Sequence, residues 1–123
     1  KPLARIVSYG EVAEDYPYLA TVPALAIKEA AKKADLGIDQ LDLIEINEAF
    51  AAVTLTSTKL LEVDPEIVNV NGGAIALGHP VGCTGTRIMV TLINEMIKRD
   101  LSTGLITACV GGGMGGTIVV ERK

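Results

Sequence analysis

The chain has 123 residues, 49% of them apolar, and a net charge of −4, which matches one domain, 1–123, with a core of its own. Its longest apolar stretches, such as Ala49 to Val53, fall far short of the about 20 residues that cross a membrane. Acids and bases interleave without a basic block, which disfavours nucleic acid as a partner. The amino terminus, Lys1-Pro2-Leu3-Ala4-Arg5, lacks the apolar run of a signal peptide. The two cysteines, Cys83 and Cys109, have no disulfide framework behind them, so a soluble protein of a reducing, cytoplasmic compartment is expected.

Residues 3–13 alternate as a strand, and an acidic, aromatic loop runs from Glu14 to Val22. Pro23 suits the first turn of a helix, whose apolar stripe is Ala24, Ile27, Ala30 or Ala31, and Ala34. Gly37 reads as its stop. Asp42 to Ile46 is a short strand, and a second helix is expected from about Ala49 to Leu61, broken by Asp64-Pro65. Ile67 to Val70 reads as a third strand and 71–78 as a loop. Val81 to about Arg99 is the longest helix. Its middle is apolar nearly all round, which predicts burial on several sides. Leu105 to Cys109 and Gly115 to Glu121 are strands joined by a tight glycine turn. The order β-α-β-α-β-α-β-β predicts an α/β fold with a mostly parallel sheet and one antiparallel strand at the end.

Three motifs each follow a predicted strand: Asn47-Glu48-Ala49-Phe50, Gly78-His79-Pro80 and Cys109-Val110-Gly111-Gly112-Gly113. Parallel strands would bring all three to one sheet edge, where loops gather to bind ligand. An amide, an imidazole and a thiol beside flexible backbone suit acyl chemistry. Glycines after Cys109 allow close approach to the backbone, and paired N–H groups there can hold an oxyanion. A core cysteine and a hairpin turn would explain the same residues. His79, the only histidine, sits where an imidazole stays neutral and can take or give a proton, or it serves a helix end. Asn47 can hold water or polarise a carbonyl, and it also fits as an N-cap. Glu48 suits a first helical turn. Cys83, near a helix N-terminus, is a weaker candidate nucleophile.

These motifs, with Asn71-Gly72-Gly73-Ala74, Val81-Gly82, Thr84-Gly85 and Met114-Gly115, closely resemble the three carboxyl-terminal signatures of the thiolases, in the family's order. The resemblance runs the length of the chain and covers the carboxyl-terminal half of a usual thiolase. It implies a five-stranded mixed sheet with helices on both faces, βαβαβαββ, one half of a pseudo-dimer stacked around buried helices. It also implies that Cys109 is the acid/base for the α-proton and that His79 activates the nucleophilic cysteine. With a water held by Asn47, His79 would steady the thioester enolate. The Gly111 N–H would serve a second oxyanion hole, and Phe50 would line the pantetheine and acyl pocket.

The nucleophilic cysteine of the family lies in the amino-terminal half, and Cys83 does not match its motif. The implied partners are that half, acyl-CoA and further copies of the protein, with coenzyme A thioester as substrate and no metal or other cofactor. The implied reaction is acetoacetyl-CoA thiolysis or the condensation of two acetyl-CoA, inactive without the amino-terminal half. A ketosynthase-type condensing enzyme fits less well, because Cys109 stands where that class carries another residue. A non-catalytic scaffold is the alternative from another class.

Overall fold

The computed structural model describes residues 1–122. Four strands, β1 (Arg5–Ala13), β2 (Leu43–Ile46), β3 (Thr103–Val110) and β4 (Met114–Glu121), form one sheet in the order β1-β4-β3-β2. β2 runs parallel to β3, and β4 is antiparallel to both β3 and β1. The chain therefore leaves β2 and β3 at the same edge of the sheet, with Ile46 opposite Thr107.

Four helices connect or flank the strands: α1 (Val22–Lys33), α2 (Ala51–Leu61), α3 (Ala74–Leu77) and α4 (Thr84–Arg99). Helix α1 lays Ala24, Ile27 and Ala30 against Ile44, Ile46, Leu105 and Val119, and Val53 and Leu61 of α2 complete that core. On the opposite face α4 packs Ile88, Leu92 and Met96 against Leu43, Ile106 and Val120. Helices on both faces follow from β2 and β3, whose side chains alternate between two apolar layers. Each fully buried leucine or isoleucine here contributes about 1.5–3 kcal/mol.

The segment 67–70 differs from its expected strand. Only Val68 pairs, through a single parallel bridge to Ile44, so the sheet has four strands rather than five. A 3-10 turn over Pro65–Ile67, with the Asp64 carboxylate accepting from the Glu66 N–H at 2.9 Å, occupies the approach. Asn69, with φ +48, then turns the backbone into the left-handed region and ends the extended run.

Other boundaries shift for local reasons. Helix α1 stops at Lys33, two residues before Asp35, which has φ +55, whereas Gly37 has an ordinary φ of −72. Helix α2 begins at Ala51, so Glu48 precedes it, and it ends on Glu62 at φ +55. Helix α4 begins at Thr84 because 80–83 form a turn closed by the Cys83 N–H on the Pro80 carbonyl, 2.8 Å. It buries one face, and Val90 and Ile97 are exposed. Burial on several sides is therefore not met within this chain.

Candidate active site

Asn47 follows the last residue of β2. Its N–H donates to the Thr107 carbonyl of β3 at 2.9 Å, which anchors it two residues from Cys109 along the neighbouring strand. The residue is 1% exposed. Its side chain does not cap α2, whose N-cap is Phe50. Instead its Nδ2 lies 3.4 Å from Nε2 of His79, 32 residues away. The Asn47 Oδ1 is buried without a partner among the described residues, so it calls for one from solvent or a ligand.

One arrangement of hydrogens around His79 satisfies its contacts with both Asn47 and Thr84, with the Asn47 Nδ2 donating to Nε2. The Thr84 hydroxyl donates to the Pro80 carbonyl at 3.0 Å and lies 2.7 Å from His79 Nδ1. A hydroxyl has one hydrogen, so in this arrangement Thr84 accepts from Nδ1–H. The neutral ring then carries its proton on Nδ1, and Nε2 presents a lone pair toward the Asn47 amide. A proton-accepting nitrogen is thus set at the β2 edge by a residue buried at the start of α4.

Cys109 is the penultimate residue of β3 and pairs opposite Gly115. It is half-buried against the α1 core, and that burial pushes its thiol above the ordinary range. It rests protonated. Cys83 is exposed at the N-cap of α4.

The glycines after Cys109 divide by cause. Gly112 and Gly113 have φ of +92 and +80, as the turn between β3 and β4 demands. A Cβ on Gly113 would lie 2.4 Å from the Glu14 carbonyl oxygen, and one on Gly115 2.6 Å from that of Val22. The chain itself therefore fills the space at these two positions. Gly111 differs: its φ is not positive, and a Cβ there would meet nothing within 4 Å. Phe50 is exposed at the entry to α2.

Two residues near this site carry roles that the sequence pattern hid. Asn69, inside an apolar run, pairs with the backbone of Ile46: the Ile46 N–H donates to its Oδ1 at 2.7 Å, and its Nδ2 donates to the Ile46 carbonyl at 2.9 Å. Glu45, the one acid within Leu43-Ile44-Glu45-Ile46, is 3% exposed. Burial raises its carboxyl to about 7, against the pull of Arg87 and with help from Glu48 and Glu95. Its position within a four-residue apolar strand is the signal that could have found it. Glu48, expected in the first turn of α2, instead accepts from Asn69 Nδ2 at 3.2 Å and from the Ile75 N–H at 3.0 Å.

Among the described residues no three metal-ligating side chains cluster, and no helix is long and apolar enough to cross a membrane.

Comparison with known proteins agrees with this architecture. The family described as "Thiolase, C-terminal domain" matches residues 1–122. The acetyl-CoA acetyltransferase of Paracoccus denitrificans is 50% identical over 98% of this chain and 31% of its own length. The crystal structure of the Bacillus anthracis acetyl-CoA acetyltransferase superposes with a TM-score of 0.97 at 47% identity, over all of this chain and 31% of that one. Human mitochondrial 3-ketoacyl-CoA thiolase, solved in complex with CoA, gives the same TM-score at 42% identity and the same coverage. The chain thus spans about a third of the length of the relatives it matches. On a match that reaches all but its final residue, the chain belongs to the thiolase family, where it corresponds to the carboxyl-terminal domain.

Proposed function

We propose that this chain is the carboxyl-terminal catalytic domain of an acetoacetyl-CoA type thiolase. The observation that carries the reading is the contact between Asn47 and His79 at the sheet edge where β3 brings Cys109 near its end. Acyl transfer of this kind requires a base near carbon and donors where enolate charge collects. The relatives' names, and the CoA complex of one of them, support coenzyme A thioesters as the substrates.

In thiolysis, a cysteine thiolate from an amino-terminal half adds to the 3-keto carbon. The bond between the α and β carbons breaks, and its electron pair passes to the thioester enolate. His79, whose Nε2 has taken the proton of that cysteine, and a water held on the unpartnered Oδ1 side of the Asn47 amide donate to the enolate oxygen. Cys109, resting as a thiol, gives its proton to the α-carbon and becomes thiolate. It then takes the proton of incoming CoA as that sulfur attacks the acyl-cysteine, releasing the second acyl-CoA and restoring the nucleophile. Condensation runs the same steps backwards. Gly111, open on its Cα side, leaves room for a thioester oxygen at its N–H, and Phe50 flanks the pantetheine.

The amino-terminal half seats on the surface that α4 leaves bare. A cavity of about 450 Å³ there is lined by Ile6, Tyr9, Ile88, Ile106 and Ile118, and apolar surface of this kind marks an interface. Further copies of the assembled protein, in the cytoplasm, complete the reading.

The test is acetoacetyl-CoA cleavage by added CoA, with the chain alone and with a co-expressed amino-terminal thiolase half. Activity in the pair only, abolished by Cys109→Ala, is the expected result. An assembled but silent pair would instead favour a scaffold, and activity in the chain alone would make Cys83 the nucleophile.

A further inference from the structure

The Asn47–His79 contact joins two loops that share no strand ladder beyond the bridge at Val68. Something else must hold them in register. Asn69 is the residue that touches both sides. Its own N–H donates to the Ile44 carbonyl at 2.9 Å. One step further along β2, its carboxamide takes over from the backbone and exchanges both hydrogen bonds with Ile46. The side chain thereby imitates the peptide group of a missing strand.

Both hydrogens of that amide are used, one on Ile46 and one on the Glu48 carboxylate. Its orientation is therefore fixed. Asn47 lies between these two points, with the residue before it and the residue after it held by the same carboxamide. The second oxygen of Glu48 accepts from the Ile75 N–H, in the segment that leads to His79. Glu48 also packs against Gly73 so closely that a Cβ there would fall 2.4 Å from its Cδ.

We propose that Asn69 is a positioning residue that sets the Asn47 amide against the His79 ring, acting with Glu48 as a clamp between the two loops. Its φ of +48 makes glycine the diagnostic replacement, because Asn69→Gly keeps the backbone conformation and removes only the carboxamide. Asn69→Asp keeps the acceptor for Ile46 N–H but turns an oxygen toward the Ile46 carbonyl and Glu48. Neither change touches substrate.

His79 is the only histidine of this chain, so histidine labelling of this chain, paired with an unlabelled amino-terminal half, reports a single ring. Asn69→Gly is expected to move the His79 Nε2 resonance and to lower kcat by roughly ten- to a hundredfold, with KM within about twofold of the parent. Asn69→Asp should do the same, and it serves as the second variant if Asn69→Gly fails to assemble. An unmoved ring resonance in an assembled variant overturns the proposal, whatever happens to kcat. The activity arm rests on the thiolase reading and the spectroscopic arm does not. A silent parental pair whose ring resonance still moves would therefore support the clamp while removing the reaction.

Discussion

The Thr84 hydroxyl stands 3.0 Å from the Pro80 carbonyl, to which it donates, and 2.7 Å from Nδ1 of His79, and this bridge assigns the ring proton to Nδ1 and leaves Nε2 free. Thr84→Val removes that acceptor without changing the shape of the buried start of α4. The ring should then populate the other tautomer, visible in its nitrogen spectrum, and kcat of the proposed pair with an amino-terminal half should fall about tenfold. Thr84→Ser restores both. A valine variant with an unchanged ring spectrum would refute this assignment.

Glu45 predicts a pH dependence of stability. Its carboxyl is raised from 4.5 unfolded to about 7 folded, so between those values the folded state holds a proton that the unfolded state has lost. Stability is accordingly greatest below about pH 4.5 as far as this group is concerned, and it declines as pH rises toward 7. The full displacement is worth about 3 kcal/mol. Urea unfolding of Glu45→Gln across this range should lack the decline and exceed the parent at pH 8.

The two thiols should separate by rate. Cys83 is exposed, whereas Cys109 is half-buried with its thiol pushed up, and alkylation follows thiolate and access. Brief iodoacetamide treatment followed by peptide mass spectrometry should find Cys83 modified first. Cys83→Ser should leave thiolysis by the pair intact. Equal labelling at early times would contradict the burial of Cys109.

Alanine substitutions should sort the glycines by cause. Gly113→Ala combines a left-handed φ with a collision on Glu14, and Gly115→Ala meets the Val22 backbone. Each should cost at least about 2 kcal/mol in urea unfolding. Gly111→Ala meets open space and should change stability by less than about 0.5 kcal/mol while lowering kcat. A Gly111→Ala variant of parental activity would remove that position from the site.

Most of the architecture was legible because long, periodic segments carry their own signal. The stripe of Ala24, Ile27 and Ala30 and the apolar run of β2 both folded where the pattern put them. What was hidden depended on partners remote in sequence. The run Ile67–Val70 has strand composition, yet the turn at Pro65 and the left-handed Asn69 leave one bridge. The glycines near Cys109 invited a ligand as their explanation, whereas Glu14 and Val22 supply the close approach at two of them. In α4 the apolar positions on the open face, Val90 and Ile97, look the same in sequence as buried ones. The motif residues of the candidate site were legible as types. Their mutual bonding, and the buried Thr84 and half-buried Asn69 beside them, required the fold.

The lone bridge at Val68 has a kinetic consequence. Residues 69–83 are tied to the rest of the chain largely by side chains, while β3 and β4 share a continuous ladder over eight pairs. Segments with few backbone partners open at low free energy, well before global unfolding. Amides of the 69–83 stretch should therefore exchange with deuterium ahead of those in the sheet. On gentle warming, Asn47 and His79 would drift apart while the circular dichroism of the sheet stayed native, so their contact would be lost as a reversible local melting before the chain lost its shape.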